Sequence, residues 1–309
     1  MIDSSPIHYS IIIPHRNTPT LLRRCLDSIP RRPDIQIIVV DDNSDPAVVD
    51  FTEFPGLNDP AIEVIFPKEG KGAGYARNVG LAHAKGKWLL FADSDDYFHE
   101  CLNGLFDKYK NSSADLIFFR SDSTDCDTLV QKKSRGAVYN EWLQASVNKG
   151  TILDEVRYCI NPPWAKFFSH KLIKENQIFF DEAFTGNDIM FSVKNGHFAK
   201  EVIIDLEYMY CATYRSDSLD SSNSFKHIKS RFDVVLDKYR FLQSMNKTKY
   251  RTNIASFLYV SRRIDKDWSK NFLKPSFETM KKSHIIFDFW ELLKLRLISS
   301  KEKILKQRN

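Results

Sequence analysis

Cysteine is sparse in this chain and follows no pattern. Five cysteines are scattered over 309 residues, without a CxxC pair or any spacing typical of metal ligands. An odd number of dispersed thiols argues against a disulfide framework and against a zinc site, and it is typical of a reducing compartment.

Long apolar runs are missing as well. The longest have the length of a strand and fall far short of the roughly 20 residues that cross a bilayer. Residues 1–15 lack the basic segment and the apolar run of a signal peptide. We therefore expect a cytoplasmic protein without a membrane span.

Acidic residues are scarce in the last part of the chain. Residues 225–309 contain 21 Lys and Arg against 8 Asp and Glu, a surplus of 13, whereas the rest holds 24 against 32. A mildly acidic body joined to a strongly basic tail suggests that the tail contacts something anionic, such as a phospholipid surface or nucleic acid.

The chain does contain a regular alternation of apolar strands and helices. Four segments are typical of buried strands, namely 9–13, 35–40, 61–66 and 88–92, and helical spacing occurs over 21–29 and 75–84. This alternation predicts an α/β fold with a mostly parallel sheet flanked by helices. From residue 225 the pattern becomes helical and basic, so we expect two domains, 1–224 and 225–309.

The most informative segment is 86–98, GKWLLFADSDDYF. A hydrophobic strand over 88–92 leads directly into Asp93, Ser94, Asp95 and Asp96. Three carboxylates within four residues repel one another, and a divalent cation with oxygen ligands commonly offsets such repulsion. Ligands also bind just beyond the carboxyl ends of strands in open α/β sheets. The alternative is a solvated acidic turn that caps the next helix.

A second predicted strand ends in Asp41 and Asp42. Acidic side chains at such positions commonly bind ribose hydroxyls or base N–H groups. Two acidic strand ends in one parallel sheet can converge on a single ligand, although an ordinary polar turn remains the alternative.

The segment 70–78, GKGAGYARN, matches a phosphate-binding glycine loop only in part. Gly72 and Gly74 form a GxG, but no third glycine falls at the dinucleotide spacing, and the segment follows the third strand. A nicotinamide dehydrogenase is therefore disfavoured. We interpret Lys71 and Arg77 as cations near a diphosphate, and a structural ion pair for Arg77 is the open alternative.

An ordered set of motifs resembles family 2 glycosyltransferases of the glycosyltransferase A fold, the type that builds bacterial surface polysaccharides. The motifs are, in order, YSIIIPHRN, IIVVDDNSD, GAGYARNVGLAHAKGKWLLFADSDDY, PPWAKFFSHKLIKENQIFFDEAFTGNDIMFS, and Tyr214-Arg215 with Ser218. The resemblance covers roughly residues 8–222 and implies a Rossmann-like sheet. It does not cover the basic helical region, which the residue pattern predicts as a C-terminal appendage.

The resemblance also implies a nucleotide-sugar donor, with a UDP-sugar expected, and a glycan or lipid-linked glycan acceptor. It assigns Pro14 and Asn17 to the nucleotide pocket, Asp41 or Asp42 to the base, Arg77 to the nucleotide, Asp93 to the ribose or metal, and Asp95 to Mg²⁺ or Mn²⁺. We add Lys71 and Ser94 to the expected donor-binding residues. A hard cation would stabilise the charge that develops on a leaving diphosphate.

An inverting transfer needs a general base for the acceptor hydroxyl. The family places this base in a Glu-Asp pair, which here reads Asn187-Asp188. Asp188 is the expected base, and Asn187 departs from the family pattern because it cannot take a proton. Asp188 as an ordinary helix N-terminal acid is the alternative.

The end of the tail combines apolar residues over 285–298 with basic residues over 301–308. This arrangement suits an interfacial helix on an anionic membrane, and a helix packed on the catalytic domain is the equal alternative. Nucleic acid is disfavoured, since no recognition motif is present.

Two other functions compete with an active transferase. A catalytically weakened nucleotide-sugar binder or scaffold of a polysaccharide-assembly complex is favoured by Asn187, whereas the intact Asp93, Asp95 and Asp188 argue against it. A sugar-1-phosphate nucleotidyltransferase would need a glycine-rich loop with Arg directly after the first strand, where this chain has PHRNTP.

Overall fold

The computed structural model describes residues 6–215 and 224–306, with side chains described as far as residue 294. Ser218 therefore lies outside the described residues. Internal contacts divide the chain into two units, Met1–Glu182 with Asn187–Ser218, and Ala183–Gly186 with Leu219–Asn309. The expected domains 1–224 and 225–309 stay a prediction, because contacts alone do not show that either part folds by itself.

The first unit is built on one sheet. Its strands are β1 Tyr9–His15, β2 Ile35–Asp41, β3 Ile62–Ile65, β4 Trp88–Phe91, β5 Tyr97–Phe98, β6 Leu116–Asp122, β7 Lys166–Ser169 and β8 Val202–Cys211, in the spatial order β3-β2-β1-β4-β7-β6-β8-β5. The strands β3, β2, β1 and β4 pair in parallel, as do β6 and β8. The strand β7 is antiparallel to both β4 and β6, and β5 is antiparallel to β8. The predicted α/β architecture is confirmed, with a sheet that is mixed beyond β4.

Helices cover both faces of this sheet. They are α1 Pro19–Asp27, α2 Ala73–His83, α3 Leu102–Tyr109, α4 Ala137–Lys149, α5 Asp154–Cys159, α6 His170–Glu175 and α7 Ile189–Phe198. Alternate residues of β1 enter opposite cores, because strand side chains alternate between faces. Ile11 and Ile13 pack with residues of α1 and α3, whereas Ile12 packs with residues of α2 and α7. Burial on both faces explains why β1 and β2 are nearly continuous apolar runs.

The second unit is helical. It contains α8 Phe225–Ser244, α9 Ala255–Ile264, α10 Lys274–Thr279 and α11 Lys282–Lys306. Aromatic and aliphatic side chains from these helices and from the turn Ser269–Leu273 form its core, among them Phe232, Tyr239, Leu258 and Phe272. The helical character expected for this region is therefore present. Within the described residues, no helix is both long enough and apolar enough to cross a bilayer.

Strand register brings three chain segments to one edge of the sheet. His15 of β1 lies opposite Asp41 of β2, and Ile12 of β1 lies opposite Phe91 of β4. The polar residues that follow β1, β2 and β4 therefore leave the sheet side by side, at the carboxyl ends where open α/β sheets bind ligands.

Candidate active site

Asp41 is built into the frame of this edge. His15 Nδ1 donates to Asp41 Oδ1 at 2.8 Å, while His15 Nε2 accepts the Thr18 N–H at 3.1 Å. Ser44 adds its hydroxyl to Oδ1 at 2.6 Å and its backbone N–H to Oδ2 at 2.9 Å. Burial opposes ionisation, but the hydrogen bonds from His15 and Ser44 outweigh it and lower the pKa of Asp41. Its oxygens are thus used within the protein.

Asp42 is buried like Asp41, but its hydrogen bonds are made to the glycine loop. The Gly72 N–H donates to Asp42 Oδ1 at 2.9 Å, and the exposed Arg16 places Nη1 3.8 Å from Oδ2. Burial is the main cause that raises the pKa of Asp42. Gly72 has a φ of 96°, a left-handed conformation that favours glycine. The glycine loop therefore lies against Asp42, and the adjacent Lys71 places its ammonium 4.9 Å from the Tyr75 ring.

Pro14 and Asn17 belong to the same corner. Pro14 is buried in β1 opposite Val40. Asn17 has a φ of 56°, its N–H donates to Ser44 Oγ at 2.9 Å, and its Oδ1 accepts the Asp45 N–H at 2.8 Å. Asn17 therefore ties the loop after β1 to the loop after β2.

Arg77 joins two segments that are distant in sequence. Its guanidinium is buried, donates from Nη2 to Asp93 Oδ1 at 2.5 Å, and donates from Nη1 to Asn187 Oδ1 at 2.7 Å. The ring of Phe180 lies 5.3 Å away. This side chain acts as a bridge between the acidic turn after β4 and the segment that precedes α7, which motif spacing alone did not indicate.

The acidic turn divides its carboxylates between the site and the core. The side chains of Asp93 and Asp95 are 36% and 27% exposed, whereas Asp96 is 2% exposed as a residue. Asp96 accepts the Tyr210 hydroxyl at 2.8 Å and the Thr213 N–H at 2.7 Å. Burial, with the charges of Asp95 and Asp93, raises the pKa of Asp96 well above its usual range. Asp96 therefore faces the core.

The end of β8 holds the acidic turn in place. Tyr210 Oη accepts the Asp93 N–H at 2.9 Å, and the Thr213 hydroxyl donates to the Asp95 carbonyl at 2.8 Å. Trp164 stacks on the Tyr210 ring, with centroids 5.5 Å apart and an interplanar angle of 11°. Sequence reasoning missed Tyr210, because its partners lie more than one hundred residues earlier in the chain.

Asp95 and Ser94 complete this turn. Arg215 Nη1 lies 3.7 Å from Asp95 Oδ2, and the Ser94 and Thr18 hydroxyls are 3.1 Å apart. Burial and the charge of Asp93 raise the pKa of Asp95, and Arg215 opposes that shift. Two accessible carboxylates that repel each other are a fitting pair of ligands for a hard cation that takes its other oxygens from substrate. Within residues 6–215 and 224–306, no three His, Cys, Asp or Glu side chains cluster into a complete metal site.

Asp188 caps α7 and follows Asn187 directly. Its carbonyl accepts the Ser192 N–H at 3.0 Å in the first turn of that helix. Gly74 of α2 allows the preceding segment to approach closely, since a Cβ there would stand 2.0 Å from the Asp181 carbonyl oxygen. Asp188 is thus linked through Asn187 and Arg77 to the acidic turn.

Replacing Tyr210 with Phe should remove the hydrogen bonds that its hydroxyl makes to the acidic turn. The Asp93 N–H and the Asp96 carboxylate would each lose a buried partner, so we expect the free energy of unfolding to fall by about 2 kcal/mol. Urea denaturation measures this loss, with Tyr208→Phe on the exposed part of the same strand as the control. Equal stability of the two variants would contradict the structural role of the Tyr210 hydroxyl.

Comparison with known proteins identifies the family. A sequence model described as glycosyl transferase family 2 matches residues 10–174, which is more than half of the chain. A poly(ribitol-phosphate) beta-glucosyltransferase of Bacillus spizizenii is 23% identical over 269 residues, and EpsH of Bacillus subtilis is 26% identical over 290 residues. The matches cover 85% and 90% of this chain, and they span 41% and 82% of those proteins.

Solved structures agree on the fold. A crystal structure of Staphylococcus aureus TarS in complex with UDP-GlcNAc superposes with a TM-score of 0.61 at 19% identity, covering 87% of this chain and 79% of that one. A mannosyltransferase of Pyrobaculum calidifontis, in complex with GDP-Man and Mn²⁺, gives 0.53 at 13% identity over 99% and 91% of the two chains. The glycosyltransferase A fold predicted from the motifs is confirmed. The chain therefore belongs to glycosyl transferase family 2.

Proposed function

We propose that this enzyme is an inverting, metal-dependent transferase that moves a sugar from a UDP-sugar to a glycan or lipid-linked glycan acceptor in bacterial surface polysaccharide synthesis. The observation that carries the proposal is the bridge through Arg77, which joins Asp93 of the acidic turn to the Asn187-Asp188 pair. This bridge supports the proposal because it would hold the donor site next to the candidate base. The named activity of the poly(ribitol-phosphate) relatives and the UDP-GlcNAc complex of TarS support the substrate class.

The donor would bind across the ends of β1, β2 and β4. Asp42 is the better candidate for the base or ribose, because Asp41 already uses its oxygens on His15 and Ser44. Pro14 and Asn17 would shape the pocket wall. Lys71, which is exposed on the glycine loop, can reach a diphosphate, while Arg77 acts on the nucleotide side through Asp93.

Asp93 and Asp95 would hold Mg²⁺ or Mn²⁺. Both carboxylates are partly exposed, and the charge of Asp93 is one cause that raises the pKa of Asp95, so a divalent ion would relieve this repulsion. When bound with the donor, such an ion would neutralise charge on the leaving diphosphate. Ser94 lies between the two carboxylates in the chain and fixes the turn against Thr18.

Asp188 would take the proton of the acceptor hydroxyl. The hydroxyl oxygen then forms a bond to the anomeric carbon on the face opposite the diphosphate, the bond from that carbon to the diphosphate oxygen breaks, and the configuration inverts. Asn187 cannot share the proton, but its amide oxygen accepts from Arg77 and keeps the bridge intact. The neutral residue at position 187 is thus compatible with transfer.

Replacing Asp95 with Asn should remove metal-dependent donor binding. Titration calorimetry of UDP into the protein, with Mn²⁺ and with a chelator, measures the effect. We expect at least a 10-fold loss of UDP affinity in Mn²⁺, because one of two carboxylate ligands becomes neutral. The control is Asp50→Asn, an exposed carboxylate that bonds to Thr52 in its own turn. Unchanged UDP affinity in the Asp95 variant would contradict the assignment of Asp95 as a metal ligand.

Replacing Asp188 with Asn should separate binding from chemistry. We expect UDP affinity to stay within about twofold and transfer to fall by about 100-fold or more, since general-base catalysis typically contributes that much. UDP release from UDP-GlcNAc or UDP-glucose, with poly(ribitol phosphate) as acceptor, measures the rate. Near-normal turnover would move the base to another residue.

The weakened-binder alternative rests on Asn187. It would be supported if the wild-type protein bound UDP but released none from either donor, while Asn187→Glu produced turnover. Turnover by the wild type comparable to its variant would exclude it.

The helix α11 supports the membrane contact considered above. Ile286, Trp290 and Leu293, spaced along one side of the helix, are 67%, 58% and 54% exposed, and Lys282 and Lys294 flank them. An apolar face with an aromatic residue and adjacent lysines suits the surface of an anionic bilayer. We propose peripheral contact on the cytoplasmic side, where a lipid-linked acceptor would be presented.

The triple variant Ile286→Ser, Trp290→Ser, Leu293→Ser should lose binding to vesicles with anionic lipid. Cosedimentation with phosphatidylglycerol vesicles measures the bound fraction, and neutral phosphatidylcholine vesicles serve as the control. We expect most of the bound fraction to be lost in the variant. Equal sedimentation of the wild-type protein and the variant with phosphatidylglycerol vesicles would contradict the membrane assignment.

A further inference from the structure

Lys166 is a buried cation in the first unit. It begins β7, and only 2% of its surface is exposed. The ammonium donates to the carbonyl oxygens of Ile160 and Pro162, each at 2.7 Å. The rings of Phe118 and Phe168 lie 5.2 and 5.9 Å away. Lysine is almost never fully buried unless hydrogen bonds or an opposite charge offset its loss of hydration.

The turn that Lys166 binds is also tied to α7. The carbonyl of Asn161, which lies between the two carbonyls held by Lys166, accepts the Ser192 hydroxyl. Ser192 stands one turn after Asp188, and its N–H donates to the Asp188 carbonyl. Three consecutive carbonyls thus connect the Lys166 ammonium to the helix turn that carries the candidate base.

Asp188 also interacts electrostatically with Lys166. Burial lowers the pKa of Lys166 to about 7, and Asp188 is the charged group that opposes this shift. The elements around the ammonium otherwise present Phe118 from β6 and Phe168 from β7. A neutral amine still has two N–H groups for the two carbonyls, so the turn can be held in either charge state.

We propose that Lys166 is a positioning residue for the transfer step: it holds the turn 160–162 against α7 and supplies a buried positive charge to the Asp188 carboxylate. This inference rests on the proposed role of Asp188 as base. Below its pKa of about 7, charged Lys166 favours ionised Asp188, which therefore stays ready to accept a proton. Arg77, paired with Asp93, holds the neighbouring Asn187 by a hydrogen bond.

The pH profile of kcat/KM tests this coupling. Its acidic limb reports the ionisation of the base in the free enzyme. Lys166→Met removes a charge that favours the carboxylate, so we expect the acidic limb to move upward by about one pH unit. Lys238→Met is the matched control, since Lys238 is equally buried but lies in α8 of the second unit, and it should leave the limb in place. An unmoved limb in a Lys166 variant that still binds UDP would overturn the proposal.

A second measurement does not depend on altering Lys166. With lysine labelled at its terminal carbon, one signal of the wild-type protein should titrate near neutral pH, far below ordinary lysines. In Asp188→Asn the opposing carboxylate is absent, so that signal should titrate at lower pH still. An identical titration in both proteins would refute the coupling.

Failure of this inference can be told apart from failure of the proposed function. Loss of transfer in Asp188→Asn tests the base, whatever Lys166 does. The lysine titration tests the coupling, whether or not Asp188 is the base. If the titration responds to Asp188 but transfer does not, the charge pair is real and the base lies elsewhere, which also overturns the catalytic role given to Lys166.

Discussion

The buried guanidinium of Arg77 is the interaction on which the geometry of the site depends. It rises from α2 and donates to Asp93 after β4 and to Asn187 before α7. A planar fork with fixed N–H directions defines the spacing of its two acceptors more strictly than a lysine could. The distance between the candidate metal ligands and the candidate base is therefore set by one side chain. Gly74 contributes by leaving room for the chain at Asp181 to pass close to α2.

Adjacent carboxylates at this edge of the sheet have different hydrogen-bond partners and different exposure. Asp41 completes a network with His15 and Ser44, while Asp42 meets the glycine loop. Asp96 bonds to Tyr210 in the core, while Asp95 stays accessible. Asp41 ends β2 and Asp95 lies in a turn, so the backbone at each place directs adjacent carboxylates to different partners. The repulsion within the acidic turn is tolerated because the end of β8 holds it by several hydrogen bonds.

Local sequence patterns predicted the strands and their polar edge but not the long-range contacts between the site residues. Apolar runs and strand-end acids predicted the parallel strands β1, β2 and β4 and their polar edge, and the motif order predicted the fold. The choice between Asp41 and Asp42 could not be made, because it depends on which carboxylate meets His15. The Arg77–Asn187 contact spans 110 residues and the Tyr210–Asp96 contact spans 114. Spacing rules describe neighbours along a helix or strand and carry no information about partners at that distance.

Asn187 gains a physical rationale from these contacts. A carboxylate at that position would give Arg77 two anionic partners, whereas the amide leaves Asp93 as its only charged acceptor in the described structure. Asp188 then has no acidic neighbour in sequence, and the buried Lys166 supplies a positive charge. Both influences favour the ionised carboxylate. Such a base is weaker than one raised by a like-charged neighbour, but it is deprotonated over a wider pH range. The loss of one carboxylate is thus better explained as a change in the tuning of the base than as a loss of activity.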